Sequence, residues 1–427
     1  MTTRPGAEVE LEIAALGSMG DGVARLAGEP VWLATTLPGE RWRARLLSHR
    51  RDGWTAEPVE RLTGGERAQP ACCHFANCGG CRLQHAPADV YSEFKRRRIV
   101  EALRRRGLVE TVVAEPVVSP PHSRRRLRLA WTRGSGAVSL GLRQRRSHAV
   151  VDLAECPVAR PRLVAAMAPL RAMLAEPGPL ARQGEASLTD TAMGVDLLLD
   201  AARAPTLEER ERLAGWAERM NLARLALAID GVVEIVVSPR PPAVVLSGVA
   251  VALPPRAFLQ ATGEGESALC AGVAAAVRRA DRVVDLFAGL GTLALAALAA
   301  GARSVQAVEA AEDACAALAA ARRPGLSVER RDLARRPLLA AELKRFDVAV
   351  LDPPRAGAVA QTLELARSEV PRIVYASCDP ESFARDARLL VEGGYLARTV
   401  QPVDQFLWSA EVELVATFHR PLRRGRA

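Results

Sequence analysis

The chain has 427 residues, 49% apolar and 25% charged, which is too long for one ordinary core and too apolar for a disordered chain, so two or three domains are expected. No run of 18 uncharged apolar residues occurs, so no membrane-spanning helix is expected, and the acidic residues of MTTRPGAEVELEIAAL precede any stretch that could serve as a secretory signal. The net charge of +9 lies in the front: residues 1–160 hold 26 Lys+Arg against 17 Asp+Glu, whereas residues 161–427 hold 32 of each.

In chain order, residues 7–62 read as a small all-β module. VELEI, PVWLA, RWRARLLS and WTAEPVERL are short, partly alternating runs separated by turn residues. A cysteine-rich loop (72–85) follows, then a basic helix over 92–107 with an apolar stripe of Phe94, Ile99 and Leu103. RRRLRLAWT and AVSLGLRQRRSHAVVDL read as strands ending near Cys156. From 160 to 255 come an Ala-rich helix (160–175), a Pro/Gly break and the strands VDLLLDA, GVVEIVVS and AVVLSGVAV, with no legible chemistry. From 262 the pattern alternates helix and strand: 264–279, DRVVDLF, TLALAALAAG, SVQAVE, 311–322, FDVAVLD, 359–369, RIVYASC and 381–392. A terminal pair follows near 396–401 and 412–419, and the chain ends in the basic run PLRRGRA. The fold class is therefore α/β: a doubly wound, Rossmann-like C-terminal domain (262–427), a small β-barrel at the front (1–64), and a central α+β region (65–261). Two lysines, Lys95 and Lys344, stand against 56 arginines, a GC-rich bias more than a chemical feature. A basic front on a neutral back fits a polyanion held by the front.

DLFAGLGT (285–292) joins a strand end to a helix start, and Gly289 and Gly291 allow a sharp turn close to a ligand. Ala294 stands where a dinucleotide fingerprint has its third glycine. Glu309 ends the next strand, 24 positions beyond Asp285, as an acid that binds ribose hydroxyls would. Asp332, after SVERR, falls at the following strand end. Acids without a lysine suit a cationic ligand lacking phosphate, S-adenosylmethionine, better than a nicotinamide or nucleotide. LDPPRAG (351–357) and YASCDP (375–380) close two further strands, where open α/β sheets bind ligands. Cys378 stands before a helix N-terminus, a setting that favours the thiolate, although a cysteine at a strand end also serves as packing.

These motifs resemble, over nearly the whole chain, the RNA uracil-C5 methyltransferases, which make 5-methyluridine in tRNA and 23S rRNA. GDGVARLAGEPVWLATTLPGE resembles the RNA-binding TRAM domain; CCHFANCGGCRLQH and ECPV resemble the family's cluster ligands; PPRAFLQ, DLFAGLGT, LDPPRAG and YASCDP resemble its catalytic motifs in their usual order. The resemblance implies Cys378 as the nucleophile that adds to uracil C6, and Glu413 as the group that removes the C5 proton. It also implies Gln260, Phe287, Thr292, Glu309, Asp332 and Asp352 as contacts to S-adenosylmethionine, with Asp352 also reaching the uracil. The chain departs from the family before the glutamate: Trp408-Ser409-Ala410-Glu411-Val412 replaces a His-Ser/Thr-x-His/Asn stretch. Strand alternation would put Glu411 and Glu413 on one face, leaving Glu411 as a second candidate.

Cys72, Cys78 and Cys81, with Cys156 far downstream before a proline, give four thiols in a chain expected in the cytoplasm. Structural zinc and an iron–sulfur cluster compete here. The single CxxC knuckle and the Cys-Pro pair suit a cubane better, and the resemblance implies a 4Fe–4S cluster. Cys73 offers an alternative spacing to Cys78, and His74 disfavours a radical enzyme. Cys270 and Cys315 read as helix fillers, and His85 and His148 as surface or structural groups. The arginines Arg96–Arg98, Arg104–Arg106, Arg124–Arg126, Arg143, Arg145 and Arg146 suit RNA phosphates. The expected partner is RNA, with 23S rRNA favoured over tRNA, without a membrane or an obligate protein partner, and the chain is expected to be a monomer. A methylase for amino groups and a non-enzymatic iron–sulfur RNA-binding protein are the rivals.

Overall fold

Four β-sheets and ten helices are built from the residues that the computed structural model describes, 4–134, 137–279 and 281–421. The basic end of the chain lies outside them from Leu422 on. The C-terminal half centres on five parallel strands, in the spatial order Leu326–Arg330, Ser304–Glu309, Arg282–Leu286, Val348–Leu351 and Arg372–Ser377. VAVL and RIVYAS are buried at every position, as strands covered on both faces must be. Glu413–His419 pairs antiparallel with Arg372–Ser377 and with Leu396–Asp404. The strand order reverses between Arg282–Leu286 and Val348–Leu351, and ligands of doubly wound sheets bind at such a switch point.

Helices Gly263–Ala276, Thr292–Ala299 and Glu312–Ala320 cover one face of this sheet. The other face is covered by Val359–Arg367, Pro380–Glu392 and the basic helix Ala88–Arg105, whose Ile99 and Leu103 enter the same core. The short strands Val112–Val113 and Val117–Val118 extend the sheet beyond Leu396–Asp404. Although drawn from residues before 262, these pieces are built into the C-terminal sheet and its covering layer.

Residues Glu8–Thr63 form a six-stranded sheet around Leu11, Ile13, Val31, Leu33, Ala44 and Leu46. It includes Gly22–Leu26, which the turn residues before it had masked. A seven-stranded sheet fills the middle, ordered Val150–Asp152, Val138–Arg143, Arg126–Arg133, Gln183–Thr191, Gly194–Asp200, Leu222–Ile229 and Val232–Val237. Sequence patterning omits Gln183–Thr191, Leu222–Ile229 and helix Leu207–Arg219. That helix carries a readable start signal: Thr206 Oγ1 accepts from Glu209 N at 3.3 Å while the Glu209 carboxylate accepts from Thr206 N at 2.8 Å. The expected helix over 160–175 is two, Pro161–Ala165 and Met167–Ala175. Among the described residues no helix is long and apolar enough to cross a membrane.

Candidate active site

A cavity of about 630 Å³ opens at the carboxyl ends of the parallel strands. Asp285, Gln260, Phe287, Thr292, Glu309, Asp332, Asp352, Cys378 and Glu413 all line it. The glycine loop supplies one wall: Phe287, Gly289 and Gly291 have φ of 63°, 53° and 84°. For Phe287 that left-handed conformation is strained, as residues held at a site often are. A side chain on Gly291 would run into Leu318, so the helix beginning at Thr292 packs closely only with glycine there.

Both carboxylate oxygens of Asp285 are buried with no hydrogen bond of normal geometry among the described residues, although the backbone N–H of Ala294 acts on the carboxyl. Burial, with the nearby charge of Asp352, pushes this carboxyl well above its usual range. Glu309 is braced by the backbone N–H groups of Gly289, Ala310 and Ala311 at 2.7–2.9 Å. Asp332 accepts from Ala334 N at 3.0 Å. A ligand bringing hydrogen-bond donors and positive charge would satisfy these acids, so they fit a sulfonium nucleoside.

Cys378 follows the last parallel strand, and burial pushes its thiol up to about 11, with Glu413 and Asp352 adding to the rise and Arg355 opposing it. The expected thiolate-favouring effect of the helix N-terminus is not what prevails. Asp379 caps that helix by accepting from Ser382 N at 2.8 Å, so the helix end already holds a carboxylate. Asp352 is raised to about 6 by burial, against a hydrogen bond from Gln260 Nε2 at 3.0 Å. Glu413 is raised to about 8, by burial first and then by Asp352.

Glu411 and Glu413 part company here. The strand starts only at Glu413, so alternation does not extend back to Glu411. Glu413 is buried and lines the cavity, whereas Glu411 is half-exposed and pairs with Arg355 at 3.1 Å. Two features escaped the sequence reading. Gln405 donates to both Gln260 and Glu413. Lys95, fully buried on the basic helix, pairs with Asp404 at 2.9 Å and donates to the carbonyl of Glu411. Only the rarity of lysine pointed to the second.

A second cavity of about 440 Å³ adjoins the first and shares Phe258, Phe406 and Glu413 with it. Arg124 lies over Phe406 at 5.5 Å and Arg126 over Phe258 at 5.3 Å. Several arginines expected on phosphates are instead tied into the protein. Arg125 pairs with Glu266, Arg98 with the carbonyl of Ala410, Arg145 with the carbonyl of Cys81, and Arg146 with Asp21. Arg97, Arg104, Arg106 and Arg143 stay exposed.

In the cysteine loop, burial raises Cys72 to about 11 and Cys81 to about 12, with further increments from neighbouring sulfurs. Cys78 and Cys156 enter one buried core, and Cys72 and Cys81 are half-buried. Cys73 is exposed and its N–H donates to Glu155 at 2.7 Å. Among the described residues, no three His, Cys, Asp or Glu side chains form a group compact enough to hold a metal ion. His85 is buried against Phe75, and burial keeps its imidazole neutral down to about 4. Cys315 is buried, Cys270 is half-buried, and His148 is exposed.

The model of the tRNA (uracil-5-)-methyltransferase family matches residues 257–420. A Caulobacter vibrioides protein named an uncharacterized RNA methyltransferase is 42% identical, over 96% of this chain and 100% of that protein. The 23S rRNA (uracil(1939)-C(5))-methyltransferase of Pectobacterium atrosepticum is 31% identical over 98% of this chain and 96% of that protein. The fold resembles the crystal structure of Pyrococcus abyssi tRNA (uracil-54, C5)-methyltransferase in complex with S-adenosyl-L-homocysteine, with a TM-score of 0.76 and 22% identity over 96% of this chain and 100% of that one.

Proposed function

The chain belongs to the family of S-adenosylmethionine-dependent RNA (uracil-C5)-methyltransferases, and we propose that it methylates C5 of a uridine in 23S rRNA through a covalent bond between Cys378 and uracil C6. The observation that carries this reading is the convergence of Cys378, Asp352 and Glu413 with Asp285 and Glu309 on one cavity. The preference for 23S rRNA rests on the full-length likeness to the Pectobacterium enzyme. The name of the family model favours a tRNA uridine as the second reading.

Gln260, Phe287, Thr292, Glu309, Asp332 and Asp352 would hold the donor, which supplies an electrophilic methyl group on a positively charged sulfur. Uracil C5 is a poor nucleophile. Cys378, once deprotonated, adds through Sγ to C6, and the C5=C6 electron pair moves toward the C4 carbonyl oxygen, which makes C5 nucleophilic. After C5 has gained its methyl group, Glu413 takes the C5 proton, the double bond re-forms, and the C6–Sγ bond breaks with its pair returning to sulfur. Asp352, between the donor site and the thiol, serves the uracil edge as well. The uridine must leave its stack to enter, and the arginine–aromatic pairs of the adjoining cavity offer faces for bases on that path.

Cys72, Cys78, Cys81 and Cys156 would hold a 4Fe–4S cluster. This reading rests on the single CxxC knuckle and the Cys156-Pro157 pair. Methyl transfer moves no electron, so the cluster's part is to fix the basic loop against RNA. The six-stranded sheet acts as the TRAM-like RNA-binding module of a cytoplasmic monomer.

RNA carrying 5-fluorouridine at the target tests the chemistry, because fluorine cannot leave as a proton. The wild type should form an adduct that survives denaturation, and Cys378→Ala should form none. Equal yields would refute the role of the thiol. Mapping 5-methyluridine after gene deletion decides between 23S rRNA and tRNA.

A further inference from the structure

Gln405 is buried at the start of the loop that leads to Glu413. Its Oε1 accepts from the backbone N–H of Thr262 at 3.2 Å, which fixes which end of the amide is oxygen. Its Nε2 therefore faces the site, donating to Gln260 Oε1 at 2.8 Å and to Glu413 Oε2. Gln260 in turn donates to Asp352 Oδ2 at 3.0 Å. The four side chains form one directed chain from Thr262 to the half-buried Asp352 and the buried Glu413. Gly265 lies directly beneath: a side chain there would collide with Cγ and Cδ of Gln405. The amide thus has one seat and one orientation.

An NH₂ group can only donate, so Glu413 can meet Gln405 through Oε2 only when that oxygen carries no proton. We propose that Gln405 is a positioning residue that biases Glu413 toward its carboxylate form and directs the C5 proton to Oε1. This rests on the reading of Glu413 as the proton acceptor. In that step the C5–H pair re-forms the C5=C6 bond, the C6–Sγ pair leaves with sulfur, and the proton arrives on Oε1 while Gln405 keeps its bond to Oε2. The hydrogen bond opposes the upward push on Glu413 from burial, Asp352 and Asp404. Cys378 and Arg355 face Glu413 across the first cavity, and Arg124, Arg126 and Arg256 face it across the second.

The test compares Gln405→Met, which keeps the length but neither donor, and Gln405→Glu, which keeps the acceptor for Thr262, with wild type and Glu413→Gln. Single-turnover methyl transfer is measured against pH, together with denaturation-stable enzyme–RNA adduct on ordinary uridine RNA. In whichever Gln405 variant folds, the acid limb should move up by about one pH unit, a roughly tenfold lower rate below the limb. Recovery is expected at high pH, and methylated adduct should accumulate because proton removal has slowed. A uniform loss at all pH values without adduct, or an unshifted limb, overturns the proposal while leaving Glu413 in place if Glu413→Gln is inactive. Full turnover by Glu413→Gln would instead remove the reading on which it rests.

Discussion

Two cysteine settings in this molecule share burial and differ in company. Cys378 faces Glu413 and Asp352, with Arg355 as the nearby cation. In the loop, Arg145 and Arg124 offset part of the rise that burial gives Cys78 and Cys156. Burial alone disfavours a thiolate in both places. The neighbours decide what could relieve it: at Cys378 a transient cation or a proton acceptor, and in the loop the cluster proposed above. A thiol that must form and break a bond each turnover is held protonated until its partners arrive, whereas a ligating thiol needs only be pre-gathered.

The largest effect expected from this contrast is on Cys378 itself. Cys378→Ala should lower methyl transfer by on the order of 10⁴-fold or more, as for other nucleophile deletions, with iron content and thermal midpoint unchanged. Next, Cys156→Ser should strip the chain of nearly all its iron, assayed as iron per chain and visible absorption, while Cys73→Ser leaves both intact. Equal loss in the two would put the wrong sulfur in the ligand set. Third, with Glu413 raised to about 8, its carboxylate is scarce below that pH. Turnover should therefore climb as pH rises through about 8, by up to roughly tenfold per unit on the acid side. The smallest effect separates the two settings most sharply. Alkylation of Cys378 should be several-fold faster with the sulfonium donor present than with its neutral sulfide product, because only the former offsets the two carboxylates. The loop cysteines should not respond.

Much of the catalytic cavity was legible because each wall is a short local motif at a strand end: the glycine loop at 285–292, Glu309, LDPPRAG and YASC. What sequence could not supply is the energy of contacts between distant segments. Cys378 looked poised for ionisation from its helix start, yet burial, aided by carboxylates 26 positions before and 35 after it, pushes its thiol the other way. Glu411 and Glu413 were inseparable by periodicity and are separated by where the strand begins and by Arg355. The Gln405–Gln260 bond spans 145 positions and the Lys95–Asp404 pair 309, beyond any local pattern. The capping box at Thr206, by contrast, was readable and passed over.

The buried Lys95–Asp404 pair has a consequence for modularity. Tyr91 and Lys95 both bind Asp404, Tyr91 OH also accepts from Trp408 N at 2.7 Å, and Arg98 holds Ala410. One helix, lying directly after the cysteine loop in the chain, therefore clamps the segment that delivers Glu413. Stripping a buried charge of its counter-ion costs about 3–5 kcal/mol. A catalytic half excised near residue 257 would leave Asp404 in that condition. This enzyme is not a portable methylase with RNA-binding parts bolted on, since its front half is a scaffold without which the segment carrying Glu413 is adrift.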